Sequence, residues 1–203
     1  MKRWLVVAFL IATGALLGGC ATVIRSQVTA FHEQPLQLQD KVYVFERSKQ
    51  QNNDLEYLEY ENLVRAQLKR LGFAEASGTR PPALRVALHY GITARDVHEV
   101  YPVVVDPYWT GPGWGSYYGP FYDPLWFGPP IVERREANYQ VFTRRLRITM
   151  TRIADGKAVY QTTVISEGGN GALAVVMPYM VRSAFADFPG RSGVPHYVDL
   201  RKQ

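Results

Sequence analysis

Alternation of apolar and polar residues marks the middle of the chain as β-structure. Between residues 84 and 94 every second residue is apolar or aromatic, and the same period runs from 139 to 153, where Arg144 interrupts the apolar row. Asp155-Gly156 predicts a tight hairpin turn into another alternating segment over 158–167. These segments predict a three-stranded antiparallel meander with one buried face.

Shorter extended segments lie nearer the two ends of the chain. Residues 27–31 and 41–46 are predicted strands, and the second alternates Val42 and Val44 with Tyr43 and Phe45. A short last strand over 194–200 has weaker support from the pattern. The sheet is therefore expected to draw strands from both halves of the sequence.

A helical period of 3.6 residues predicts a helix over 54–71. Its apolar residues fall within a narrow arc, and its charged residues are expected on the opposite side. Asn53 and Glu56 have the spacing of a capping box, and Gly72 follows the last turn as a C′ glycine does. The apolar set is Tyr57, Tyr60, Val64, Leu68 and Leu71, and the charged set is Glu61, Arg65 and Lys69.

A second helix is predicted to begin with Pro178 in its first turn, where the missing N–H of proline costs nothing. Phe188-Pro189-Gly190 is expected to end it. Its apolar stripe consists of Met177, Val181, Ala184, Phe185 and Phe188. Two amphipathic helices need a surface to cover, so the fold class is α+β: a two-layer sandwich of a mostly antiparallel sheet with both helices on one face. One domain over 27–200 is expected.

Composition places the chain among ordinary globular proteins, with 203 residues, 47% hydrophobic and 20% charged. The net charge of +5 falls to +3 when Lys2 and Arg3 are removed, which is too small for a nucleic-acid binder. Cys20 is the only cysteine, and the four histidines are scattered, so no cofactor and no metal site are expected.

The first 20 residues have the layout of an export signal. Two basic residues precede an uncharged, mostly apolar run over 4–17, which is too short to span a bilayer. Leu17-Gly18-Gly19-Cys20 then resembles the lipobox of bacterial lipoproteins. That resemblance implies cleavage between Gly19 and Cys20, removal of a signal peptide over 1–19, and acylation of Cys20, including a palmitate-type chain.

Acylation at Cys20 would hold the domain at a membrane through a tether over 20–26. Two or three acyl chains anchor a protein essentially permanently, at about 0.8 kcal/mol per buried methylene. Ala21 stands where an aspartate resembles an inner-membrane retention signal, so the expected location is the periplasmic side of the outer membrane.

The order of these features resembles bacterial envelope lipoproteins of domain-of-unknown-function family 4136 (DUF4136), over roughly residues 24–190. The resemblance rests on the early Tyr/Phe-rich strand, the helix end Leu68-x-x-Leu71-Gly72-Phe73, the strand over 84–88, the hairpin at Asp155-Gly156-Lys157 and the helix end at Phe188-Pro189. It implies an envelope location and no established activity.

Residues 101–130 differ in composition from the rest of the chain, with seven prolines and five glycines. This content predicts a long loop insertion between the two long strands. Its ten aromatic residues, of which all after Tyr101 form the candidate binding loop, are Tyr101, Tyr108, Trp109, Trp114, Tyr117, Tyr118, Phe121, Tyr122, Trp126 and Phe127. Such rings suit a sugar platform, a belt in the lipid interface or a protein contact; the loop could also fold back on its own sheet.

Two further residue groups carry chemistry. Arg85, Arg95, Arg145 and Arg147 share a strand parity, which predicts either a solvated face or a basic site for lipid phosphate or another anion. Asp96, Glu99, Glu133 and Glu136 flank the aromatic segment, and paired acids can hydrolyse glycans.

The leading expectation is a non-enzymatic, lipid-anchored module that presents the aromatic loop to a protein, glycan or lipid partner. The alternatives are a cell-wall glycan enzyme that uses those acids, and a subunit of an envelope assembly or transport machine.

Overall fold

The computed structural model describes residues 23–36, 38, 40–78, 80–105 and 131–202. These residues form one seven-stranded sheet and two longer helices. The elements are β1 (Val23–His32), β2 (Val42–Glu46), α1 (Leu55–Arg70), β3 (Ala74–Glu75), β4 (Leu84–Val105), β5 (Ile131–Arg152), β6 (Ala158–Gly168), α2 (Leu173–Ala184) and β7 (His196–Arg201). A 3-10 helix, Gln51–Asn53, precedes α1.

The sheet is mixed, in the order β3-β2-β4-β5-β6-β1-β7. The predicted meander of β4, β5 and β6 is confirmed, and Leu146 of β5 pairs with Val164 of β6. Gly156 in the hairpin turn has φ of +69°, and the Arg152 amide donates to the Lys157 carbonyl at 2.8 Å. Because α1 connects β2 to β4, these two strands are parallel, which the expectation of a mostly antiparallel sheet did not include.

Both helices cover the same face of the sheet, so the α+β sandwich is confirmed. Alternate residues of the central strands are buried beneath them, among them Val86, Leu88, Leu146 and Ile148. The two helices also contact each other, and α2 contacts β6 and β1. The other face of the sheet carries no helix among the described residues.

The start of α1 differs by one residue from the prediction. Asp54 is the N-cap, because its carboxylate accepts hydrogen bonds from the amides of Glu56 and Tyr57, at 3.0 and 3.2 Å. The capping box of Asn53 and Glu56 is therefore wrong. Gly72 has φ of +80°, as expected of a C′ glycine.

Glu61 was expected on the exposed side of α1, and this is wrong. Its side chain is 1% exposed, and its two carboxylate oxygens accept hydrogen bonds from Arg47, both at 2.5 Å. Arg65 donates to the same carboxylate at 2.6 Å. Two guanidinium groups compensate the buried charge, so a residue that looks solvated in the sequence belongs to the interior.

The predicted start of α2 is also wrong. The helix begins at Leu173, so Pro178 lies inside it and not in its first turn. It ends at Ala184, before Phe188-Pro189-Gly190. The predicted apolar stripe is nevertheless buried, since Met177, Val181, Ala184 and Phe185 are all in the core and Phe188 packs against it.

The other strands are present, and several are longer than expected. β1 begins at Val23, so residues 23–26 of the expected tether are part of the sheet. β7 pairs with β1 and confirms the weakly supported last strand. No helix in the described part of the chain has the length and apolar character that crossing a bilayer requires.

The chain divides into two compact units. The first comprises the residues up to Thr93 and those from Phe142 onward, and the second is Ala94–Val141. In the second unit, Asp96 accepts a hydrogen bond from Gln140 and His98 bonds Asn138, so the outer parts of β4 and β5 are paired and antiparallel there.

Candidate functional site

The uncovered face of the first unit carries a shallow groove along β4 and β5. It has a volume of about 490 Å³, and its outward-facing lining residues are His89, Gly91, Thr93, Thr143, Arg145 and Arg147. We name this feature the arginine groove. Strand alternation produces it, since the residues between these positions, such as Leu146 and Ile148, are buried on the helix side.

Gly91 keeps the floor of the arginine groove open. A Cβ built at this position would have no atom within 4 Å, and the backbone there does not adopt a positive φ. The glycine is therefore not required by backbone conformation. It leaves room beside Arg145 that any other residue would partly fill.

Two exposed guanidinium groups give the arginine groove its charge. Arg145 and Arg147 are two positions apart on the same face of β5, which separates their Cα atoms by about 7 Å. Their partners on β6 are the uncharged Ile165 and Thr163, and no ion pair joins either arginine to another described residue. Guanidinium groups without an ion-pair partner can bind carboxylate, sulfate or phosphate oxygens through paired hydrogen bonds.

Neutral donors and one acid complete the surroundings of the arginine groove. Thr143 Oγ1 donates to a carboxylate oxygen of Glu167 at 3.0 Å, so this acid lies beside Thr143. Tyr90, whose backbone position also borders the groove, is turned towards α1, and burial raises its pKa to about 12. The groove thus presents two cations and an imidazole to a ligand, with the Glu167 carboxylate beside it, while the hydroxyl groups of Thr143 and Thr93 donate within the protein.

Only two of the four predicted basic residues lie in the arginine groove. Arg85 is further along β4 and faces Glu46 at 3.6 Å. Arg95 belongs to the second unit and has an interaction partner of its own. His89, Thr93, Thr143 and Gly91 were not predicted as site residues, although their strand parity is the same as that of the arginines and would have identified them.

The four acids proposed for glycan cleavage lie on exposed strands of the second unit. Asp96 and Glu99 are three residues apart on β4 and so face opposite sides of it. Their carboxylates accept hydrogen bonds from Gln140 at 2.9 Å and from the Tyr139 hydroxyl at 3.3 Å. Among the described residues, no group of three or more His, Cys, Asp or Glu residues could hold a metal ion.

A second, larger cavity of about 860 Å³ lies elsewhere in the first unit. Its charged lining residues are already bonded within the protein: Arg152 pairs with Glu33 at 2.5 Å, and Asp40 accepts the Val42 amide at 3.0 Å. The rest of its lining is largely apolar, with Pro35, Leu38 and Ile153 among its residues. The arginine of this cavity is therefore already paired, and Asp40, which accepts only a backbone amide, gives it no cationic group for an anion.

The lipobox residues Gly19 and Cys20 and the aromatic residues from Tyr108 to Phe127 lie outside the described residues. Tyr101 is an exposed residue of β4, which continues to Val105, so the predicted loop over 101–130 is wrong for residues 101–105. The candidate binding loop and the lipidation site therefore stay predictions from the sequence.

Comparison with solved structures found similar chains at low sequence identity. A PDZ domain protein from Parabacteroides distasonis is 10% identical with a TM-score of 0.47; the match covers 89% of this chain and 40% of that one. A PelC dodecamer from Paraburkholderia phytofirmans is 10% identical with a TM-score of 0.37, over 82% and 99% of the two chains. A DUF4136 family protein from Bacteroides thetaiotaomicron is 12% identical with a TM-score of 0.40, over 82% and 97%.

The chain thus spans less than half the length of the PDZ domain protein. A search of curated proteins found no match. A family model described as a domain of unknown function, DUF4136, matches residues 27–190, which include β1 from Gln27 onward, every strand from β2 to β6 and both helices. The chain therefore belongs to the DUF4136 family.

Proposed function

We propose that this protein is a lipid-anchored module of the bacterial cell envelope that binds an anionic group of a protein, glycan or lipid partner in the arginine groove. The observation that carries the binding proposal is the pair of exposed, unpaired guanidinium groups of Arg145 and Arg147 beside the open position at Gly91. The role that we propose is non-enzymatic, since it consists of binding the anionic group and includes no reaction.

The anchor proposal is supported by the sequence around Cys20 and by the position of β1. Only Ala21 and Thr22 separate Cys20 from the first residue of β1. Three Cα–Cα steps reach about 11 Å at most, so an acylated Cys20 would keep the start of β1 close to the lipid surface. The aromatic segment between β4 and β5 would supply further contacts to the partner, and Ala21 favours the outer membrane.

A charge-matched comparison tests the arginine groove. The whole chain, purified in a nonionic detergent, is titrated with dextran sulfate and with neutral dextran of the same length. The double variant Arg145→Gln/Arg147→Gln is compared with Arg134→Gln/Arg135→Gln, which removes the same charge from exposed positions of the second unit. We expect the groove variant to lose at least about tenfold in affinity for dextran sulfate, since each tenfold step needs only about 1.4 kcal/mol.

The control pair should lose much less, because it changes only the net charge. Equal losses in the two double variants would show that the probe senses overall charge and not the arginine groove. Equal binding of neutral dextran and dextran sulfate by the unmodified chain would also contradict the proposal.

A further inference from the structure

Arg144 is a buried arginine on the helix-covered face of β5. It is 3% exposed, and its side chain lies on the opposite side of the strand from Arg145. Its partner on β6 is Ser166, and the same row continues to Ser26 on β1. The row is polar in an otherwise apolar layer, and the Oγ atom of Ser26 is buried without a hydrogen-bond partner.

The charge of Arg144 has no compensating charge among the residues that the structure describes. Its Nε atom is buried and makes no hydrogen bond, and no acidic side chain among the described residues pairs with it. Burial lowers the pKa of Arg144, but a guanidinium still keeps its charge at neutral pH. An unpaired buried ion destabilises the folded state, in contrast to Glu61, which two arginines neutralise.

The guanidinium of Arg144 reaches towards the end of β6. A Cβ built at Gly168 would lie 3.1 Å from its Nη2 atom, although Gly168 is two residues beyond Ser166, its partner in the sheet. Gly168 is half-buried and has no side chain to cover the group. Glu167, the neighbouring acid, faces the other side of the sheet, where it meets Thr143.

The first turn of α2 begins at the same end of the sheet. A Cβ at Gly171 would lie 2.9 Å from the ring of Phe142, which is the neighbour of Arg144 on the inner face of β5. Ala172 is the N-cap of α2 and provides no side-chain hydrogen bond to the helix amides. The Ala172 amide donates to Asn170 Oδ1 at 2.8 Å and the Val175 amide to the Ala172 carbonyl at 3.3 Å, so the partial positive charge of this turn lies on the amides of Leu173 and Ala174.

We propose that Arg144 binds a phosphate group, which approaches past Gly168 at the end of the sheet where β1 begins. A buried guanidinium and a nearby helix N-terminus are both suited to phosphate oxygens. The group comes either from free phosphate or from a phospholipid headgroup, and the headgroup source rests on the proposed anchor at Cys20. This site is separate from the arginine groove, since the two lie on opposite faces of β5.

Thermal unfolding of the whole chain in nonionic detergent tests this site, with phosphate compared with chloride at equal ionic strength. We expect phosphate to raise the Tm saturably by several degrees, as a ligand of the folded state does. Arg144→Leu should unfold in chloride at a Tm no lower than the unmodified chain and show no response to phosphate. Arg182→Leu, which removes an exposed arginine of α2, should keep the full response.

Arg144→Lys keeps the charge and is used in equilibrium dialysis with labelled phosphate, in case the leucine variant does not fold. We expect it to bind at least about tenfold more weakly, because lysine lacks the paired donors of arginine. The site is overturned if phosphate stabilises the unmodified chain no more than chloride does, or if either Arg144 variant responds to phosphate as the unmodified chain does.

The two phosphate sources are separated with inorganic phosphate and with glycerophosphoglycerol, the water-soluble headgroup of phosphatidylglycerol. A stronger Arg144-dependent shift with the diester supports the headgroup, and a stronger shift with inorganic phosphate supports the free anion. Neither result depends on acylation, which the mass of the N-terminal peptide decides separately.

Discussion

Glu61 and Arg144 are both charged residues in the interior of the same unit, but their partners differ. Glu61 has two arginine partners, whereas Arg144 has no acidic partner among the described residues. Removing the carboxylate charge of Glu61 would take away the acidic partner of Arg47 and leave Arg65 with Glu75 alone. The two arginines are therefore held in place by a residue that the helical pattern assigns to the solvent side.

Glu61→Gln should lower the free energy of unfolding by about 3 kcal/mol, the cost of breaking a buried ion pair from one side. Urea denaturation followed by circular dichroism measures this loss. Glu59→Gln, at an exposed position of the same helix, is the matched control and should change stability by less than about 0.5 kcal/mol. Similar losses in the two variants would mean that the buried ion cluster adds nothing specific.

Sequence reasoning identifies the strand parity of charged residues but not their partners. Parity correctly separates Arg144 from Arg145 and Arg147, and it therefore predicts that Arg144 lies in the apolar row. The helical period fails for Glu61, because the compensating Arg47 is contributed by the chain after β2, and nothing local in α1 points to it. Charge pairs between distant segments are set by tertiary packing.

At the level of elements, the ends of α1 follow local rules. Gly72 has a left-handed conformation with φ of +80°, and a Cβ there would meet no atom within 4 Å. Its role is therefore conformational and not one of packing. Asp54 caps the other end through its side chain, one residue after Asn53, at which the spacing predicts the cap.

Gly72→Ala should lower the free energy of unfolding by about 1 kcal/mol, because a Cβ is strained in the left-handed region. Gly78→Ala is the control. A Cβ at Gly78 would also meet no atom within 4 Å, but Gly78 does not have a positive φ. Differential scanning calorimetry should give a lower Tm for the first variant alone. An unchanged Tm for Gly72→Ala would contradict the conformational role.

The predicted start of α2 lies too late in the chain, because a proline favours the first turn of a helix and tertiary packing overrides this preference here. Pro178 lies five residues after the first residue of the helix, so its missing N–H removes a bond to the Ala174 carbonyl. The apolar residues around it bury the helix against β6 and β1, which outweighs that loss. The stripe itself, which is a packing feature, was predicted correctly.

For the whole molecule, the alternating pattern predicted the meander and the layer of helices, but not the strand order. The sequence between β2 and β4 contains a helix, and a strand-helix-strand connection makes the two strands parallel. The weak final strand pairs with β1 at the opposite edge of the sheet from β3. These pairings join distant parts of the chain, which periodicity does not encode.

The proposed location of the molecule rests on the N-terminal residues, which lie outside the described part of the chain. β1 begins three residues after Cys20, so lipidation there would bring the start of the sheet, and with it Arg144, to the membrane surface. The arginine groove lies on the face of the sheet opposite the helices. Both proposed binding sites therefore belong to a domain that would be held beside lipid.

The proposed lipid anchor is tested by the mass of the N-terminal peptide of the protein recovered from cell envelopes. We expect a chain that starts at Cys20 and carries acyl chains on that residue, and a Cys20→Ser variant that keeps residues 1–19 and takes up no labelled palmitate. A chain with an unmodified Cys20, or one cleaved elsewhere and recovered free of the membrane, would contradict the lipid anchor.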